Sequence, residues 1–91
     1  MDSIEQTLCA FIQTAFIVER GGGDRTLSPD DPLVASGVVD SLGIFEVIAF
    51  VEEQFSVNVL PEDVVIDNFE TVHAIGNLVH SRLVSRHRDA A

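Results

Sequence analysis

Asp40-Ser41-Leu42-Gly43-Ile44-Phe45-Glu46-Val47-Ile48-Ala49-Phe50-Val51-Glu52-Glu53-Gln54-Phe55 is the stretch on which the fold turns. Its wealth of Val, Ile and Phe suits a strand, but its period does not. Ile44, Val47, Ile48, Val51 and Phe55 stand at i, i+3, i+4, i+7 and i+11, one face of a helix. A helix over 41–55 is therefore expected, with this seam toward a core. At about 100° per residue, Leu42, Phe45 and Ala49 fall on a separate side, interleaved with Glu46, Glu52 and Glu53. A helix in a small bundle needs one apolar stripe. A second stripe, rimmed by acids, suggests a surface that a partner reads. The alternative is that Phe45 packs under the segment before the helix.

Working outward, Ser3 with Gln6 has capping-box spacing. Ile4, Leu8, Phe11, Ile12 and Ala15 then recur at helical intervals, so a first helix is expected over 3–19. Arg20 and Gly21-Gly22-Gly23 end it. Residues 20–40 read as a long loop, broken by Ser28, Pro29, Asp30, Asp31 and Pro32, with Leu33 and Val34 as anchors into the core. Loops longer than about 12–15 residues in a small domain are usually functional or mobile. Pro61 suits a first helical turn, and Glu62 and Asp63 suit its positive end, which predicts one short helix over 61–66. A last helix is expected over 71–86, opened by Glu70 or Thr71. It turns Val72, Ile75, Val79 and Leu83 inward and gathers Arg82, Arg86 and Arg88 at its C-terminal end. The sum is an all-α fold, a small four-helix bundle of three longer helices and one short one.

The chain has 91 residues, which bounds it to one domain. A hydrophobic fraction of 46% excludes a disordered tail. Fifteen Asp and Glu stand against five Arg and no Lys, a net charge of −10. Nucleic acid and anionic membrane both require clustered positive charge, so neither is an expected partner. Basic protein surfaces are. The single cysteine, Cys9, cannot form an internal disulfide and reads as an inert core thiol. Asp2 and Glu5 stand where a signal peptide needs positive charge, and no apolar run approaches the ~20 residues of a membrane span. A cytoplasmic, monomeric protein is expected, and the chain is small for an enzyme.

Ser41 opens the helix that decides the fold. Unpaired N–H groups and the helix dipole favour a phosphate or another anion there. A serine at such a place also serves simply as a helix cap. A catalytic nucleophile is a poor reading, because the surrounding residues lack the G-x-S-x-G elbow and His73 is far along the chain. Gly21-Gly22-Gly23 lacks the following Lys of a P-loop, and Asp30-Asp31 lacks EF-hand spacing. His73, His80 and His87 recur every seven residues, about 10 Å apart on a helix, too far to share a metal.

Gly37-Val38-Val39-Asp40-Ser41-Leu42 resembles the G-x-x-D-S-L signature of acyl and peptidyl carrier proteins. Asp31-Pro32-Leu33, Glu52-Glu53-Gln54-Phe55 and Phe69-Glu70-Thr71-Val72 resemble that family at matching places, so the likeness covers nearly the whole chain. It implies that Ser41 carries a 4′-phosphopantetheine arm, transferred from coenzyme A by a separate Mg²⁺-dependent phosphopantetheinyl transferase. Asp40 would then be a helix cap, a contact for that transferase, or both. Leu42, Phe45 and Ala49 would form the apolar part of a docking face. Glu46, Glu52 and Glu53 would meet basic residues on the loading ligase and on downstream biosynthetic enzymes.

Two departures bear on the type of carrier. Fatty-acid carriers have an acidic residue after the D-S-L triplet, where this chain has Gly43, and often a long apolar residue where it has Ala49. Leu33-Val34-Ala35-Ser36-Gly37-Val38-Val39 looks more like free-standing carriers of polyketide, nonribosomal-peptide or aminoacyl pathways. A specialised carrier is the expectation. A housekeeping fatty-acid carrier and an unmodified helical interaction module are the alternatives.

Overall fold

The computed structural model describes residues 3–18 and 26–89, and every regular element among them is helical. α1 (Ser3–Ile12) passes without a break into a π-helical turn, Gln13–Val18. α2 is Ser41–Phe55, the span expected from its period. A 3₁₀ turn at Pro61–Asp63, a short α3 (Ile66–Phe69) and a long α4 (Val72–Asp89) complete the order. α1, α2 and α3 all pack on α4, which is the common spine.

The first helix departs from the uniform helix expected over 3–19. Regular α geometry stops at Ile12, and residue 19 and the Arg20–Gly23 stop signal lie outside the described residues. In a π turn, i→i+5 bonding sets residues five apart above one another. Phe11 and Phe16 meet each other there, edge to face at 6.1 Å and 81°. Leu8 and Ile12 are buried as expected, while Ala15 is only half-buried. The seam continues instead through Phe16, four residues past Ile12, and Ile17, both in the core.

The segment from residue 26 to Asp40 is a strap rather than a free loop. Leu27, Leu33 and Val39 are buried, and Val34 is half-buried. Gln13 Oε1 accepts the Leu27 N–H at 2.7 Å. The Leu33 N–H donates to the Glu70 carbonyl at 2.7 Å, and the His73 N–H donates to the Pro29 carbonyl at 3.0 Å. These bonds tie the strap to the start of α4. Gly37 turns the chain at a φ of +83°, a conformation that favours glycine.

The single helix expected over 61–66 is instead two pieces. Val64 and Val65 are non-helical, with φ/ψ of −84°/73° and −128°/151°. Their β-branched side chains resist the helical region. Asp63 fixes the break. Its Oδ2 accepts the Leu60 N–H at 2.9 Å, and its carbonyl accepts Asn68 Nδ2 at 2.8 Å.

In α4, Thr71 is the opener, since its Oγ1 accepts the Ala74 N–H at 3.0 Å. Val72, Ile75 and Val79 are buried and Leu83 is half-buried, as its period requires. Arg82 does not merely serve the helix dipole. Its Nη2 donates to Asp63 Oδ1 at 3.0 Å, clamping α4 to the 3₁₀ turn. The side chains of Arg86, His87 and Arg88 lie outside the described residues. No described helix is long and apolar enough to cross a membrane.

Candidate functional site

The cap of α2 is Asp40. Its backbone is extended (φ −96°, ψ −173°), and its Oδ1 accepts the Gly43 N–H at 2.7 Å. Its carbonyl accepts the Ile44 N–H at 3.0 Å, the first bond of the helix. Ser41 is thereby released from capping. It is the first helical residue, it is exposed, and its hydroxyl has no hydrogen-bond partner among the described residues. Of the two readings open for this serine, the cap belongs to its neighbour. What remains is an unengaged hydroxyl in the first turn of a helix, where the dipole is positive.

The two apolar stripes of α2 differ in burial and meet at Ile48. Val47 and Val51 are each 1% exposed, and Ile44, Ile48 and Phe55 are half-buried against the same core. On the other side Leu42 is 75% exposed and Phe45 61%, with Ala49 also exposed. Phe45 does not pack under the preceding segment. It forms one wall of an open groove of about 470 Å³, with Ile48, Glu52, Val59, Pro61 and Val64. Ser41, Phe45, Ile48 and Glu52 follow at intervals of four, three and four, so the serine heads the stripe that lines this groove.

The three acids differ. Glu46 and Glu53 are exposed beside the apolar stripe. Glu52 is half-buried, and its Oε2 accepts the Val59 N–H at 3.0 Å. That bond fixes the bend after α2, where Ser56 takes the left-handed conformation at φ 55°. Glu52 therefore shapes the groove and is less available to a partner than the sequence suggests.

Sequence reasoning placed Asp63 only at a helix start and missed that it sets the far wall of the groove by placing Pro61 and Val64. A signal existed: Asp63 follows Leu60 by three residues, the reach-back spacing of a capping box. A second recess, of about 400 Å³, is lined by Asp63, Asp67, Asn77, Ser81 and Arg82 and takes no residue from α2.

The remaining chemistry-bearing residues stand apart from Ser41. His73 Nδ1 lies 3.4 Å from Glu5 Oε1, a link between α4 and α1, and His80 is exposed. Among the described residues no three His, Cys, Asp or Glu side chains converge on a metal position. Cys9 is half-buried rather than in the core. Burial pushes its thiol pKa up, and the nearby charges of Glu5 and Asp31 add to the shift.

No protein-family model matches the chain, and no curated protein matches it.

Proposed function

We propose that this protein is a non-catalytic carrier, with Ser41 as the attachment point of a 4′-phosphopantetheine arm. The observation that carries this reading is the division of labour at the start of α2. Asp40 caps the helix, and the adjacent Ser41 hydroxyl is exposed and unengaged. A serine kept only for capping has no reason to stand beside a cap that already works. In the loading step Ser41 Oγ forms the new phosphodiester while the pyrophosphate bond of coenzyme A breaks. The adenosine bisphosphate leaves, and the hydroxyl proton passes to the transferase. When bound, the arm supplies a thiol that holds acyl or aminoacyl groups as thioesters, which the chain has no means of doing at Ser41 itself.

The residues around Ser41 suit such a group. The first turn of α2 favours a phosphodiester charge. Leu42 and Phe45 offer apolar surface, and the groove along Phe45, Ile48 and Val64 offers more. Leu42, Phe45 and Ala49, flanked by Glu46 and Glu53, form the docking face for the transferase, the loading ligase and later enzymes. In this reading the fold is a carrier-type four-helix bundle, acting as a monomer in the cytoplasm. Gly43 and Ala49 favour a specialised polyketide, nonribosomal-peptide or aminoacyl pathway over housekeeping fatty-acid synthesis.

The test is intact mass after incubation with coenzyme A, Mg²⁺ and a broad-specificity phosphopantetheinyl transferase. The chain should gain one phosphopantetheinyl group, and Ser41→Ala should gain none while remaining helical. An unchanged mass beside a control carrier that is modified would favour an interaction module that is never loaded.

A further inference from the structure

Gly43 lies in the first turn of α2 and is buried, two residues and about 200° of rotation beyond Ser41. A Cβ at this position would stand 2.8 Å from Phe16 Cε1, 3.1 Å from Val39 Cγ1 and 3.2 Å from Asp40 Oδ1. The first distance is inside van der Waals contact, so something must move. The ring has little room to retreat. Phe16 is 5% exposed and abuts Phe11, which is itself stacked on Phe50 of α2 at 3.9 Å. Close-packed interiors transmit such an intrusion rather than absorb it.

The same glycine supplies the N–H that holds Asp40 Oδ1 at 2.7 Å. Backbone at residue 43 therefore serves two neighbours: the ring rests on it, and the cap is bonded to it. We infer that Phe16 is a positioning residue for Ser41, acting through Gly43 and the Asp40 cap. This inference rests on the carrier reading of Ser41. The π turn brings the ring over α2; the ring fixes the first turn; the fixed turn keeps Asp40 as the cap and Ser41 outward. When the cap is dislodged, the Ser41 hydroxyl, one residue on, becomes a competing acceptor for the orphaned N–H groups. The hydroxyl is then drawn into the helix end and lost to the transferase. An acidic residue after Ser41-Leu42, as in fatty-acid carriers, is excluded here by the ring. The departure at Gly43 is thus a packing requirement of Phe16, and the two positions must change together.

The test uses the full chain and three variants: Gly43→Ala, Phe16→Leu and the double substitution. Each is assayed at a temperature where circular dichroism shows it folded. Two quantities are read: kcat/KM for loading by the transferase with coenzyme A, and hydrogen-exchange protection of the residue-43 amide. Gly43→Ala should lower kcat/KM about ten-fold and strip the amide of protection. A displacement of about 1 Å at a reacting group can cost about a hundred-fold, and the overlap here is only part of that. Phe16→Leu, the variant less at risk of failing to fold, should lower loading about three-fold with a smaller loss of protection. The double variant, in which the added methyl group occupies the space the ring vacates, should recover most of both. Wild-type protection together with wild-type loading in either folded single variant overturns the proposal, as does a double variant worse than Gly43→Ala. If the wild-type chain accepts no arm, the carrier reading fails instead. The amide protection then still decides whether Phe16 governs the cap.

Discussion

The inner and outer sides of α2 are built from the same kinds of residue and are put to opposite uses. Val47 and Val51 are sealed in the core, and Leu42 and Phe45, one or two turns away, stand in solvent. Burying a large apolar side chain stabilises by roughly 1.5–3 kcal/mol, so leaving two of them out forgoes several kcal/mol in a small fold. Side chains left exposed at that expense are the basis of the docking face proposed above. Composition cannot tell the two sides apart. Position around the helix can.

The sharpest break of this comparison is Val51→Ala, which should destabilise the protein by about 1–3 kcal/mol through the cavity it leaves. Chemical denaturation should show a lower midpoint with an unchanged slope. Next come the acids at the rim. Glu52→Ala removes the acceptor of the Val59 N–H and should cost about 1 kcal/mol, whereas Glu53→Ala should stay within about 0.5 kcal/mol of wild type. Equal effects in thermal melts would mean that the bend after α2 does not depend on that bond. Phe45→Ala should cost under about 1 kcal/mol, because most of the ring is already in water. Under the proposed carrier function, transfer of cargo to or from a partner enzyme should nevertheless slow clearly. Should Phe45→Ala prove more destabilising than Val51→Ala, the assignment of inner and outer sides is reversed.

Screening gives a finer measure. Glu46→Gln with Glu53→Gln should slow association with a basic partner and flatten its salt dependence, with little change in stability. The smallest effect belongs to Cys9. Its raised pKa leaves less thiolate at mildly alkaline pH, so alkylation should run a few-fold slower than in the unfolded chain. The sign for stability follows. The folded state holds this proton more tightly, so the contribution is whole below the ordinary thiol pKa and fades as pH rises through the raised one.

α2 was legible in the sequence to the residue, because a long amphipathic period leaves little choice of face. The core positions of α4 were legible for the same reason. The π turn was not. From Ile12 a 3.6-residue period allows either Ala15 or Phe16 next; the chain seats Phe16 together with Ile17, and only the neighbouring helix decides between them. The region from Leu60 to Phe69 was half legible: Pro61 marked a helical start, but the stop at Val64 depends on Asp63 being held by Arg82, nineteen residues on. At the site, Asp40 and Ser41 competed on equal terms for the cap, and sequence spacing alone gives either of them that role. The position of Glu52 was legible and its engagement was not, because its partner is a backbone N–H.

The strap from residue 26 to Asp40 has a bearing on the order in which the protein is made. Its backbone is tied to Glu70 and His73, and α1 lies against α4, so the strap and α1 both lean on residues that are synthesised after them. A chain emerging from the ribosome holds α1 and the strap with little beyond the Gln13–Leu27 bond and the Phe11–Phe50 stack to order them until α4 has followed. Domains of this kind fold as units once their last partner is out. The hydroxyl of Ser41 is therefore presented in its final geometry only once α4 is in place, so recognition of the capped helix end requires the folded domain rather than the Asp40-Ser41-Leu42 segment alone.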